Sequence, residues 1–107
     1  MKSFIVIHRA SLPDDLRGRL ARLQRLSNTQ LLDACNREYR CGPVGVYMQA
    51  VHVLAIHHEL KSRFGKTPTR VTHNTAVAIP GPIVLRNGVL HAETNPSLQT
   101  APNKQFP

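Results

Sequence analysis

The sequence has no tryptophan, two tyrosines and three phenylalanines, so aromatics make up 5% of its 107 positions. Platforms that bind unpaired bases use successive aromatic rings, and this scarcity argues against single-strand stacking. Only six acidic residues are present. Metal-dependent nuclease chemistry needs several converging carboxylates, which so few acids do not readily supply. The sequence lacks the dinucleotide-binding pattern G-x-G-x-x-G, the P-loop and the nucleophile elbow G-x-S-x-G, each of which serves a specific chemistry. No apolar run approaches the roughly 18 residues needed to span a bilayer. What is left is a chain of one domain's length, read as non-enzymatic, with no cofactor and no metal expected.

Cysteine is scarce too. Cys35 and Cys41 are the only two, and their spacing matches no zinc knuckle. Cys35 reads as a small core residue and both as reduced thiols. The opening Met1-Lys2-Ser3-Phe4-Ile5-Val6-Ile7 has four apolar residues before His8 and Arg9 end the run. A secretory segment needs about 7–15, so a strand over residues 3–8 and a cytoplasmic protein are expected.

Positive charge is what the sequence has in excess. Lys and Arg total 14 against the six acids, a formal charge of +8, and ten of the 14 are arginine. They concentrate in Arg17, Arg19, Arg22 and Arg25, with Arg9 just before, and again in Arg37 and Arg40.

Local signals set the elements. Ser11-Leu12-Pro13-Asp14 reads as a helix start, with Ser11 as cap and Asp14 and Asp15 favoured by the helix dipole. This helix is expected to reach Leu26, with Leu16, Leu20 and Leu23 on one face. Ser27-Asn28-Thr29-Gln30 is a capping box, stapled by Leu26 and Leu31, that opens a second helix over 28–40. Pro43 opens the third and longest helix, 44–64, which Gly65 and Pro68 stop. Its apolar side carries Val46, Ala50, Val53, Leu60 and Phe64, with Gln49, His52, Glu59 and Arg63 on the wet side. The period then falls to two, with strands over Thr69–Thr72 and Thr75–Ile79. Asn87-Gly88 between Ile83–Arg86 and Val89–Ala92 is a hairpin signal. Residues 94–107, with three prolines, read as a mobile tail.

The expected fold is α+β, a globular unit over 1–93 with helices around a long central apolar helix and a small antiparallel C-terminal hairpin. The N-terminal strand is a candidate member of that small sheet. The layout resembles a winged helix, with Arg86 near the wing tip. The third helix would then be the reader, but its first turns, Val44-Gly45-Val46-Tyr47-Met48, are apolar where base edges demand polar side chains. The arginine helix is the better nucleic-acid candidate.

His58 and Glu59 begin a zincin-like H-E-x-x-H, but Ser62 stands where the second histidine belongs. His57 lies on the apolar side and reads as a neutral core histidine with a hydrogen-bond partner. Phe4–Ile7 followed by Leu12–Ala21 resembles the strand-to-helix opening of the small CRISPR integration subunit. The later helix and hairpin depart from that family's alternating pattern, so no residue roles are carried over.

The leading expectation is a basic accessory or regulatory protein that contacts nucleic-acid phosphates, those of a duplex backbone, through Arg17, Arg19, Arg22, Arg25, Arg37, Arg40 and Arg86. The alternative is a protein-interaction module, an inhibitor or adaptor, docking on an acidic partner surface. A homodimer sharing the third helix is a third reading. No membrane contact is expected.

Overall fold

A computed structural model describes residues 1–73 and 75–93, and the tail expected over 94–107 lies outside the described residues. The elements run β1 (Lys2–Ile5), α1 (Leu12–Leu23), α2 (Asn28–Cys41), α3 (Tyr47–Phe64), β2 (Arg70–Thr72), β3 (Ala76–Ile79), β4 (Ile83–Arg86) and β5 (Val89–Ala92). The class is α+β, with three helices and two small antiparallel sheets.

The second sheet corrects the expected grouping. β1 does not join the C-terminal hairpin; it pairs with β3 in a sheet of order β1-β3-β2, while β4 and β5 form their own. Phe4 stands opposite Val77 in the β1–β3 register, and both are fully buried. A period of two places Phe4 and Val6 on the core face, with Ile5 and Ile7 exposed. The turn from β2 to β3 closes where Thr75 N–H donates to the Thr72 carbonyl at 2.8 Å and the Thr75 hydroxyl donates to the same oxygen at 2.9 Å.

Two helix starts, at Leu12 and Asn28, stand where the sequence placed them, and the third shifts. Ser27 Oγ accepts from Gln30 N–H at 3.1 Å and Gln30 Oε1 accepts from Ser27 N–H at 2.9 Å, a complete capping box. Leu31 behind it is fully buried, which contributes about 1.5–3 kcal/mol. Ser11 occupies the cap position of α1, but its side chain makes no capping bond. α1 also ends at Leu23, not Leu26, and Arg25 sits in the following turn with its N–H on the Arg22 carbonyl.

α3 begins at Tyr47, three residues later than Pro43-Val44 suggested. Gly45 takes a φ of 79°, outside the right-handed helical region. Gln49 organises the resulting loop: its Oε1 accepts from Val44 N–H, and its Nε2 donates to the Gly42 carbonyl and to Glu38. Val44 and Val46 are therefore exposed, not part of the helix's apolar side. Ala50, Val53, Leu60 and six further α3 residues join Tyr47 in being buried.

Glu59 and Arg63 do not lie on the wet side. Glu59 is buried, and its carboxylate accepts from Arg63 Nε at 2.7 Å. The same guanidinium donates to the Leu23 carbonyl at 2.9 Å and to Asn28 Oδ1 at 3.1 Å. One arginine thus ties α3 to the end of α1 and the start of α2.

Asn36 performs the corresponding task for the hairpin. Its Nδ2 donates to the Ile83 carbonyl at 3.0 Å and its Oδ1 accepts from Ile83 N–H at 2.7 Å. Asn36→Leu leaves both peptide groups of a fully buried residue unpaired. Thermal or urea unfolding is expected to show a loss of about 1–3 kcal/mol; an unchanged transition would show that Asn36 does not hold the hairpin. At the hairpin tip Asn87 and Gly88 have φ of 53° and 78°, the two positive values a type I′ turn requires.

Candidate nucleic-acid interface

α1 sets out its arginines by helical period. Arg19, Arg22 and, in the turn beyond, Arg25 follow at intervals of three along one flank of the leucine stripe. Arg17 falls on the other flank. It donates to Asp14 at 2.8 Å, an exposed ion pair at spacing three. Arg19 and Arg22 line a shallow notch of about 230 Å³ with Met48 from α3, and Asp14 and Asp15 line it as well.

α2 supplies Arg37 and Arg40, both exposed. Arg37 reaches the same neighbourhood as Arg19: both guanidiniums act electrostatically on His52 of α3. Burial is the largest cause that lowers the pKa of His52, Glu38 opposes it, and Arg19 and Arg37 lower it further. His52 therefore favours the neutral form, and its Nδ1 is buried with no hydrogen-bond partner among the described residues. The positive charge here belongs to the arginines.

The acids decide which cations remain available. Asp14 pairs with Arg17, Glu59 with Arg63 and Glu93 with Arg86. Asp15 accepts from the Tyr47 hydroxyl at 2.7 Å, and this bond, with a second from Ser11, holds its carboxyl below the usual range. Glu38 accepts from Gln49. Arg19, Arg22, Arg25, Arg37 and Arg40 have no ion-pair partner among the described residues. Arg86 stands apart from them on the hairpin, bonded to Glu93 at 3.2 Å.

The histidine and cysteine readings have a clear geometry. His57 is buried, with Nδ1 hydrogen-bonded to Thr69 Oγ1 at 2.8 Å. Thr69 Oγ1 in turn shares a hydrogen bond with Thr67 Oγ1. Cys35 is a buried free thiol, pushed up to about 12 by burial, and Cys41 is an exposed one. Among the described residues, no group of three or more His, Cys, Asp or Glu side chains could hold a metal ion. No helix among them is long and apolar enough to cross a membrane.

Burial lowers the pKa of His52, His57 and His58, with Lys61 adding to the effect at His57 and His58. Below the ordinary histidine value of 6.5 the unfolded chain binds protons that the folded chain resists. Stability is therefore complete above that value and declines as pH falls through and below it. Melting temperature is expected to drop between neutral pH and mildly acidic pH, and His57→Gln should flatten the dependence. A melting temperature independent of pH across this window would contradict the assignment.

Arg63 and Glu59 are the residues that sequence reasoning misplaced. Their spacing of four was a usable signal, but only the folded junction of three helices buries the pair. Comparison with protein-family models, with curated proteins and with solved structures finds no match.

Proposed function

We propose that this chain is a non-enzymatic accessory or regulatory protein of the cytoplasm that contacts nucleic-acid phosphates through Arg19, Arg22, Arg25, Arg37 and Arg40. α3 serves in this reading as the central apolar support on which α1 is laid. The supporting observation is the distribution of acids: among the described residues, every ion pair formed by a carboxylate leaves these five arginines out. Arg forks match phosphate oxygens in geometry and keep their charge at any physiological pH. Arg17 and Arg86 are the weaker members of the original set, since each already serves a carboxylate.

The proposed contact is with the backbone, not with base edges. The first turn of α3 offers Tyr47 and Met48 in place of polar readers, and the aromatic scarcity leaves little for base stacking. Fluorescence anisotropy with two duplexes of unrelated sequence is expected to give equal affinities. Arg22→Glu combined with Arg25→Glu should weaken both equally. Binding that survives this double reversal would place the contact elsewhere. Binding to an acidic protein but not to either duplex would favour the interaction-module reading.

A further inference from the structure

Backbone, side chains and charge converge at the outer edge of β1. Val6 N–H donates to the Thr75 carbonyl, continuing the β1–β3 register that sets Phe4 opposite Val77. Bonded and non-bonded residues alternate along an antiparallel strand. Lys2, Phe4 and Val6 therefore turn their peptide groups toward β3, while Ser3 and Ile5 turn theirs away. β1 is the terminal strand of its sheet, and no backbone group among the described residues bonds to the outward amides of Ser3 and Ile5.

The side chains next to that edge are apolar and uncovered. Ile5 is 64% exposed and Ile7 48%. A groove of about 240 Å³ separates β1 from the segment entering α3, with Phe4, Ile7, Val46, Tyr47 and Ala50 among its walls. Val46 on the facing wall is itself 55% exposed. Unpaired edges are ordinarily blunted by charge or distortion. The opposite edge shows both, with exposed Arg70 on β2 and a φ of 49° at His73 directly after it. The middle of β1 carries neither.

Cations flank the groove. Lys2 Nζ lies 4.8 Å from the Tyr39 ring centre at the start of β1. The Arg9 guanidinium lies 4.0 Å over the Tyr47 ring beyond its end. No carboxylate lines the groove. The two acids bonded to its walls, Asp15 and Glu38, are engaged by Tyr47 and Gln49.

We propose that this edge binds an extended, acidic and apolar peptide segment of a partner protein as an added strand. Its backbone pairs with Ser3 and Ile5, its alternate apolar side chains enter the groove, and its carboxylates meet Lys2 and Arg9. A second copy of the chain fits less well. Antiparallel self-pairing about Ile5 would set Lys2 beside His8 and Met1 beside Arg9, between two molecules each carrying a formal +8. The groove shares no lining residue with the notch at Arg19 and Arg22, and the proposal does not depend on the arginine reading.

The test uses the full chain, isotope-labelled, and a capped octapeptide of alternating valine and glutamate. Amide exchange at Ser3 and Ile5 is expected to slow about tenfold or more on saturation, with no shift at Arg19, Arg22 or Arg37. The peptide with lysine in place of glutamate should have no effect. Ile5→Pro removes only an outward donor, a change edge strands tolerate, and should abolish the protection at Ser3, the amide that remains to be read. Ile5→Asp, which sets a carboxylate against those of the peptide, provides the same check while keeping the amide. Unchanged exchange at saturating peptide, changes confined to the arginine face, or Ser3 and Ile5 amides already protected in the free chain would each overturn the proposal.

Discussion

Arg63→Ala is expected to lower the unfolding free energy by about 3–5 kcal/mol, the range for removing one partner of a buried ion pair. The Glu59 side chain is 8% exposed and the Arg63 side chain 18%. Removing the guanidinium leaves a largely buried carboxylate without its charged donor. It also frees the Leu23 carbonyl and Asn28 Oδ1, so the corner between α1 and α2 loses its link to α3. The paired substitution Arg63→Met with Glu59→Leu should cost much less than Arg63→Ala, because no uncompensated charge remains. Urea unfolding of the three proteins measures both effects. A loss below about 1 kcal/mol in Arg63→Ala, the value of an exposed pair, would show that the junction is open to solvent.

Duplex affinity should fall about 500-fold between 50 and 200 mM salt. Each phosphate neutralised contributes about 0.9 to the slope of log affinity against log salt. Five arginines acting together therefore give a slope of about −4.5. A protein-interaction module would show no such duplex binding. A shallow slope with retained affinity would mean that contacts other than guanidinium–phosphate pairs carry the binding.

What could be read from the sequence was what depends on neighbours in the chain. The Ser27–Gln30 box, the stop at Gly65 and the Asn87-Gly88 turn each need only a few consecutive residues, and each is found in the structure. Sequence order could not fix which strands pair. β1 joins β3 across more than seventy residues, and a short apolar run carries no label for its partner. The α3 start was misread because Pro43 is as compatible with a loop as with a first helical turn. The positive φ of Gly45 and the side-chain bonds of Gln49 decide the matter there.

The candidate site was legible in part. The run of arginines from Arg17 to Arg25 was visible as a basic cluster, but that Arg17 stands on the other flank from Arg19 and Arg22 was not drawn from it. Asp14 was read as a helix-dipole residue, which hid its bond to Arg17. The Arg86–Glu93 pair depends on the hairpin returning the chain upon itself. That Arg37 shares His52 as a neighbour with Arg19 required the packing of all three helices. The outward edge of β1 required knowing which side faces β3.

The distinction between unpaired and paired arginines is tested most directly by the salt slope of duplex binding in two double variants. Arg22→Ala with Arg25→Ala should reduce the slope by about 2, one phosphate contact for each arginine removed. Arg17→Ala with Arg86→Ala, which removes guanidiniums already bonded to Asp14 and Glu93, should leave it near the parent value. Equal slopes in the two variants would contradict the assignment of the interface.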